Sequence, residues 1–374
     1  MVLAGYFLRV YLVLEEDEMG TVAARFTAIV THFFPHWDEI VAIYLLVNFG
    51  EKLFPGISKA VIEYIDNPES VNGKELLKEG KIAVGVGGGE FDEHGRKEIV
   101  CAAELVARKL DLFRDPVVKE VIAYTRWADR NPGVAENELP NLVKRWHRAK
   151  PRNPGFVIAR GFEELDMKFV DSRWFHKVMK GLETSMQRLT FPLLGTNKEV
   201  RFGIIRKNDP NSDSPYAAKA ARKVGAQLVF KRQSNGNVAV LTDTRAFEDD
   251  NLRLDLSGVV VLTRKAEMAK RGVTHDLTDE QLKTEKCEPC PWIYFMRNGQ
   301  TILNGSDTSS SGVEASVLTD EEWEAAIKAG TTLTPRVASA QVVVQRSNRG
   351  DSFAKLGDVM DTGHKGSAPD TAEA

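Results

Sequence analysis

The chain has 374 residues, 43% of them hydrophobic and 28% charged, with a formal net charge of −3. That length suits two ordinary domains and that balance a soluble globular protein. A pI of about 6.2 excludes the global basic field that advertises nucleic-acid binding and leaves room only for a local basic groove. Three cysteines argue against a disulfide framework and suit a reducing cytoplasm. Cys287 and Cys290 form one C-x-x-C without a second pair, whereas a zinc ribbon needs four ligands.

In chain order, Met1 to Leu14 is apolar with a single arginine, and Glu15, Glu16, Asp17 and Glu18 close the run. It is too short to span a bilayer and lacks a basic start and a small-residue cleavage site, so neither a membrane span nor a signal peptide is expected. It is either an extra strand or a stretch preceding a start at Met19. Residues 24–31 read as a buried strand and 38–49 as a helix. Lys59 to Ile65 reads as a second helix, and Ile82 to Val86 as a short strand running into Gly87-Gly88-Gly89. Cys101 to Leu112 and Pro116 to Asp129 carry apolar residues at helical spacing. Residues 134–165 look helical and charged, with Trp146 and His147 on one such segment. Phe169 to Arg188 reads as a long helix crossing into a second region. There Arg201 to Arg206, Gln227 to Lys231 and Val259 to Leu262 read as strands. Asn235-Gly236 and Arg297-Asn298-Gly299 read as hairpin turns, the second between Trp292–Met296 and Thr301–Leu303. Asp320 to Ala329 reads as a capped helix, and the chain beyond about 346 lacks a core pattern and is expected to be disordered. No internal repeat is visible. The expected fold class is α/β, with a mainly parallel sheet flanked by helices followed by a smaller α+β domain. The expected boundaries are an extension over 1–23, a metal-binding domain over 24–165, a connecting helix over 166–190, a substrate domain over 191–340 and a tail over 341–374.

The chemistry concentrates at Thr31-His32-Phe33-Phe34-Pro35-His36-Trp37-Asp38-Glu39. A β-prone run ends in two histidines and two carboxylates, and a helix pattern follows at once. This order delivers ligand-type side chains to the carboxyl end of a strand, where open α/β sheets build their sites. Asp92 and His94 sit in a second polar loop after a strand, and Asp129 ends a helix. His32, His36, Asp38, Asp92, His94 and Asp129 are therefore the candidate metal ligands. Mixed histidine and carboxylate ligands suit Mn²⁺ first, with Zn²⁺ or Mg²⁺ as alternatives. Each has a plainer reading: His32 and His36 as a loop pair, Asp92 as a cap or Asx-turn, Asp129 as a turn former. Gly87-Gly88-Gly89 lacks the spacing of a phosphate loop and reads as backbone freedom near the site. Trp37 reads as a pocket wall or a stacking surface for a base. Arg206-Lys207 and Asn304-Gly305-Ser306 end strands of the second region and are the candidate substrate contacts. Solvated charges are the alternative for Arg206-Lys207, and also for Lys231-Arg232.

The spacing His32-x-x-Pro35-x-x-Asp38 resembles the first motif of the DHH phosphoesterase superfamily, with His36 in place of the first Asp of that motif's pair. Thr31-His32 and His36-x-Asp38-Glu39 are more similar to one branch, the melanocyte-proliferating-gene family of metal-dependent hydrolases and exonucleases, which has one more residue between its two histidines. Val84-Gly85-Val86-Gly87-Gly88 and Phe91-Asp92-Glu93-His94 resemble that family's Val-Asp-Val-Gly-Gly and Phe/Tyr-Asp-His-His stretches. The likeness covers about residues 24–135. It implies a metal-dependent hydrolase that cleaves phosphodiester or pyrophosphate bonds of nucleotides or short RNA with a metal-activated water. His94 and His36 would be the groups nearest the chemistry. It implies a cytoplasmic protein without a membrane partner and leaves a homodimer open. Two departures stand against activity. Gly85 replaces an Asp that bridges metals, and Glu93 replaces the first of two paired histidines; Glu39, Glu90 or Glu93 is expected to compensate if the site works. The alternatives are a catalytically degenerate nucleotide-binding module and a metal-dependent hydrolase of non-phosphorus substrates.

Overall fold

The structure, a computed structural model, describes residues 25–98, 100–131, 135–296, 298–305 and 312–336. The expected extension over 1–23, the tail over 341–374, and Arg297 and Ser306 lie outside the described residues. The chain divides into two compact units, up to Asp166 and from Met167.

In the first unit, Ile29, Val30 and Thr31 are β-branched and favour β1 (Ala28–His32). This strand is the middle of a three-stranded sheet in the order β2-β1-β3, with β2 (Val61–Ile65) and β3 (Lys81–Ala83) both parallel to it. All three strands therefore end on one edge. His32 closes β1 there, and Gly85 follows β3 two residues later. A short loop leads to α1 (Trp37–Phe49), in which Trp37 through Leu46 are all buried. A helix apolar on every side belongs inside a core. Ile40, Val41, Ile43, Leu45 and Leu46 each contribute roughly 1.5–3 kcal/mol by burial, so the first turn of α1 cannot drift without forfeiting several of them. Then come α2 (Gly73–Lys78), α3 (Ala102–Lys109), α4 (Pro116–Arg130), α5 (Leu139–Ala149) and α6 (Pro154–Ser185). Asp115 caps α4 by accepting from the backbone N–H of Val117 at 2.8 Å, with Pro116 at the first position.

Three expectations are corrected here. Lys59 to Ile65 is not a helix: a single 3₁₀ turn (Ile57–Lys59) precedes β2, whose Val61, Ile62, Tyr64 and Ile65 are strand formers that pair with β1. The strand expected over 82–86 stops at Ala83 because Gly85 adopts φ +65°. The helix expected over Phe169 to Arg188, with the connecting helix over 166–190, is part of the longer α6, and residues 187 and 188 already belong to β4.

The second unit holds a six-stranded sheet in the order β4-β5-β6-β7-β10-β9 and a pair β11-β8. The strands are β4 (Gln187–Pro192), β5 (Glu199–Ile205), β6 (Leu228–Arg232), β7 (Val238–Thr242), β8 (Leu252–Asp255), β9 (Tyr294–Phe295), β10 (Thr301–Asn304) and β11 (Thr332–Pro335). Only β5 and β6 run parallel; β6 and β7 form the hairpin expected at Asn235-Gly236. The helices are α7 (Ala217–Lys223), α8 (Ser257–Lys270), α9 (Asp279–Leu282) and α10 (Asp320–Gly330). Val259 to Leu262, expected as a strand, lies in α8. A short apolar β-branched run fits a buried strand or a buried helix equally well, and here Val259 and Val260 are fully buried core residues of the helix. Arg264 of the same helix is fully buried. Its guanidinium donates to the carbonyls of Leu282, Thr284, Glu285 and Ile293 at 2.7–3.2 Å, fixing the segment that carries Cys287 and Cys290. No described helix is long and apolar enough to cross a membrane.

Candidate metal centre

The site grows from the first turn of α1. His36 is the N-cap, and Glu39, three residues on, closes a capping box by accepting the His36 backbone N–H through Oε2 at 2.7 Å. The same carboxylate receives His32 through Oε1, with Nε2 at 2.9 Å. The His32 Nδ1 accepts the Phe34 N–H at 3.3 Å, which assigns the ring proton to Nε2 and makes it the donor to Glu39. Burial raises the Glu39 carboxyl, but the hydrogen bond from His32 and the two imidazoles beside it outweigh burial and hold it at about 2.

Asp38 has the opposite character. It is 5% exposed, and its Oδ2 is buried without a hydrogen-bond partner. Burial first, then the charges of Glu39 and Glu93, push its carboxyl well above the usual range. Glu93 reaches in from the second loop, its Oε2 also buried and unpartnered. Burial and the charge of Glu39 raise Glu93 to about 7. One oxygen from each of Asp38, Glu39 and Glu93 lies within 4.8 Å of the others.

A third group sits beside this one. Asp92 is buried and accepts the Gly88 N–H at 2.7 Å and the His94 N–H at 3.0 Å. Its Oδ1 also meets His94 Nδ1 at 2.9 Å. That contact holds the imidazole with Nδ1 protonated and Nε2 free, the arrangement that a carboxylate imposes on a metal-binding histidine. The Asp92 hydrogen bond raises His94, whose ring is 72% exposed.

Of the six expected ligands, the structure gathers His32 and His36 with Glu39, Asp38 with Glu39 and Glu93, and Asp92 and His94 with Glu93. Asp129 belongs to none of these groups among the described residues, although its charge raises Asp38. Its own carboxyl, in the last turn of α4, is raised by burial and by the charge of Glu39. Asp92 is the Asx-turn of the alternative reading as well as the support of His94. Of the three compensating carboxylates, Glu39 and Glu93 join the cluster, whereas Glu90 pairs with Lys109 at 2.6 Å. Glu39 was legible as the residue three places after a helix cap; Glu93 carried no comparable signal.

Gly85 explains why Glu39 matters. A Cβ on Gly85 would lie 2.8 Å from Cγ and 2.8 Å from Oε1 of Glu39. The Glu39 carboxylate occupies the space that an acidic side chain at position 85 would enter.

The chain matches no protein-family profile and no curated protein.

Two further expectations are narrowed. Trp37 is buried, 4% exposed, and has no face for a base. Two of the five expected substrate contacts are committed elsewhere: Asn304 is fully buried, donating to Trp292 O and Glu314 O at 2.9 and 2.8 Å and accepting the Ser316 N–H at 2.8 Å. Arg206 pairs with Asp320 at 2.9 Å and Glu324 at 2.8 Å, because β5 ends beside α10. Arg232 also donates to Asp320, at 2.5 Å, and Lys231 is fully buried, so neither is a solvated charge. Lys207 stays exposed, and Gly305 takes φ +85° as the chain leaves β10.

The residues fit a divalent cation. Buried like charges with orphaned oxygens are costly unless paired or bound to metal, and Asp38 Oδ2 and Glu93 Oε2 are both orphaned. Metal binding requires ionised carboxylates and displaces their protons. With Glu93 at about 7, Mn²⁺ affinity is expected to rise as pH increases through that value, with proton release. Titration calorimetry in buffers of different ionisation enthalpy measures this; a pH-independent affinity without proton release contradicts it.

Proposed function

We propose that the chain is a metal-dependent phosphoesterase that hydrolyses phosphodiester or pyrophosphate bonds in nucleotides or short RNA. The observation that carries this reading is the convergence of Asp38, Glu39 and Glu93 beside an exposed His94 held by Asp92. A divalent cation there would lower the pKa of bound water and offset charge on a phosphoryl group. Asp38 and Glu93 would hold it through their unpartnered oxygens, with Glu39 as the third carboxylate. His94, raised by Asp92 and so protonated over a wider pH range, is placed to deliver a proton to the leaving oxygen. His32 keeps Glu39 ionised, and His36 stands exposed at the entrance, within ring contact of His32 at 5.1 Å.

The similarity of the His32–Asp38 and Val84–His94 stretches to the DHH superfamily supports this reading, as does a parallel three-stranded sheet with both loops on one edge. A DHH-like first domain followed by an α+β domain is part of the proposal, and so is a cytoplasmic setting, which the free thiols of Cys101, Cys287 and Cys290 suit. The homodimer has no role in it. Against the degenerate-module alternative stands the Glu39 carboxylate, which lies where a side chain at position 85 would enter.

The test is a panel of oligoribonucleotides, dinucleotides, pyrophosphates, esters and amides incubated with pure protein and Mn²⁺. Release of nucleotide or phosphate, abolished by chelator, is the expected result. No turnover of any phosphorus substrate, or turnover of esters or amides alone, overturns the proposal.

A further inference from the structure

The chain is acidic overall, yet one stretch is the reverse. Between Glu138 and Glu163 there is no Asp or Glu, while Lys144, Arg145, Arg148, Lys150, Arg152 and Arg160 all fall there. Arg145 is tied back to the preceding loop through Glu136 O and Asn137 Oδ1, and Arg160 pairs with Glu163. Lys144, Arg148, Lys150 and Arg152 are exposed and make no ion pair among the described residues. Lys144 and Arg148 are four residues apart on α5, so like charges share one face, which mildly destabilises a helix. Positive charge at a helix C-terminus complements its dipole and accounts for Arg148; Lys144 lies in the middle of α5 and Arg152 beyond its end.

This helix is joined to the candidate metal centre. His147, next to Arg148, donates from Nε2 to the carbonyl of Pro35 at 3.0 Å. Pro35 lies between His32 and His36. The His147 ring also meets the edge of Phe34, with centroids 5.4 Å apart. Phe34 is 53% exposed, a large aromatic face left in solvent on the loop that carries the histidines. Unpaired cations beside an exposed aromatic ring are the two elements of a single-strand nucleic-acid surface: the cations follow phosphates and the ring stacks on bases.

We infer that Lys144 and Arg148, continued by Lys150 and Arg152, form a track for the phosphates of a single-stranded oligonucleotide, with a base on Phe34 and the chain end directed to the metal centre. The inference rests on the proposed phosphoesterase reading for its choice of polyanion. Its test reads binding and not turnover, so the two can fail separately. Affinity of the full-length protein for a fluorescent single-stranded oligoribonucleotide is measured in chelator across a salt series. Lys144→Glu/Arg148→Glu, both exposed positions, is expected to weaken binding about tenfold or more and to reduce the salt slope by roughly 1.4, about 0.7 for each lost phosphate contact. Phe34→Leu is expected to weaken RNA binding about fivefold or more while leaving inorganic polyphosphate binding unchanged, and Phe34→Trp to retain RNA binding. Unfolding curves matching the parent confirm that the variants are folded. Unchanged affinity in the double charge reversal overturns the track. Equal behaviour of Phe34→Leu and the parent toward RNA, or tight binding to anionic lipid vesicles with none to RNA, overturns the assignment to single-stranded nucleic acid.

Discussion

Asp38→Asn is expected to lower Mn²⁺-dependent hydrolysis by about a hundredfold or more and, in chelator at neutral pH, to make the protein more stable. The two effects have one cause. Asp38 is buried with an unpartnered Oδ2, and its carboxyl is raised by burial and by Glu39 and Glu93. Without a cation the ionised form is a liability, and an amide of the same shape removes the charge and can donate to Glu39. The expected gain is about 1–3 kcal/mol. Its pH dependence follows from the direction of the shift. A carboxyl raised in the folded state binds its proton more tightly there than in the unfolded chain, so the parent is favoured in acid and loses stability as pH rises. The advantage of Asp38→Asn should therefore be largest above neutrality and vanish below about pH 4. Denaturant unfolding at several pH values, with chelator and then with Mn²⁺, reads both halves; a variant less stable than the parent under all of these conditions would contradict the assignment of Asp38 as a group held in readiness for a cation.

A carboxylate placed at position 85 should damage the site unless Glu39 is removed. Gly85→Asp adds a carboxylate, yet its Cβ would fall 2.8 Å from Glu39 Cγ and from Oε1. Glu39 cannot simply swing away, because His32 and the His36 backbone hold both of its oxygens. The expected cost is roughly 1–3 kcal/mol in stability, with Mn²⁺ affinity reduced about tenfold or more. The backbone at φ +65° adds strain of its own, less for Asp than for most residues. Glu39→Ala alone removes a carboxylate and should weaken binding to a similar degree. Combined, the two changes should recover affinity to within about tenfold of the parent, a coupling of the kind expected between residues in contact. Calorimetric Mn²⁺ titration of the four proteins measures it. If the double variant binds no better than the weaker single one, the two positions do not supply one carboxylate.

The first loop was legible because its signals are local. Ile29-Val30-Thr31 favours a strand, His36 with Glu39 three residues later marks a helix start, and the apolar residues after Asp38 have nowhere to go but a core. What sequence could not supply was proximity. Glu93 sits between Asp92 and His94, and its carboxyl is raised because folding buries it and brings it to Glu39. The burial of Trp37 and the exposure of Phe34 were illegible for the same reason. Both are aromatics of one loop, but Trp37 is the first residue of a buried helix and Phe34 is left outside. Arg206 and Asn304 were chosen as polar residues at strand ends. Asp320 and Glu324 of α10, and the carbonyls of Trp292 and Glu314, meet them only in the folded unit. Helix α8 was hidden by its Val259-Val260-Val261 run, where tertiary burial overrides intrinsic strand preference.

In the proposed site, Asp38, Glu39 and Glu93 hold a divalent cation. Equilibrium dialysis against Mn²⁺ followed by elemental analysis, with the parent and Asp38→Asn side by side, tests it most directly. Stoichiometric manganese in the parent and its loss from the variant is the predicted result. Absence of bound metal in the parent, or equal metal in both proteins, would contradict it.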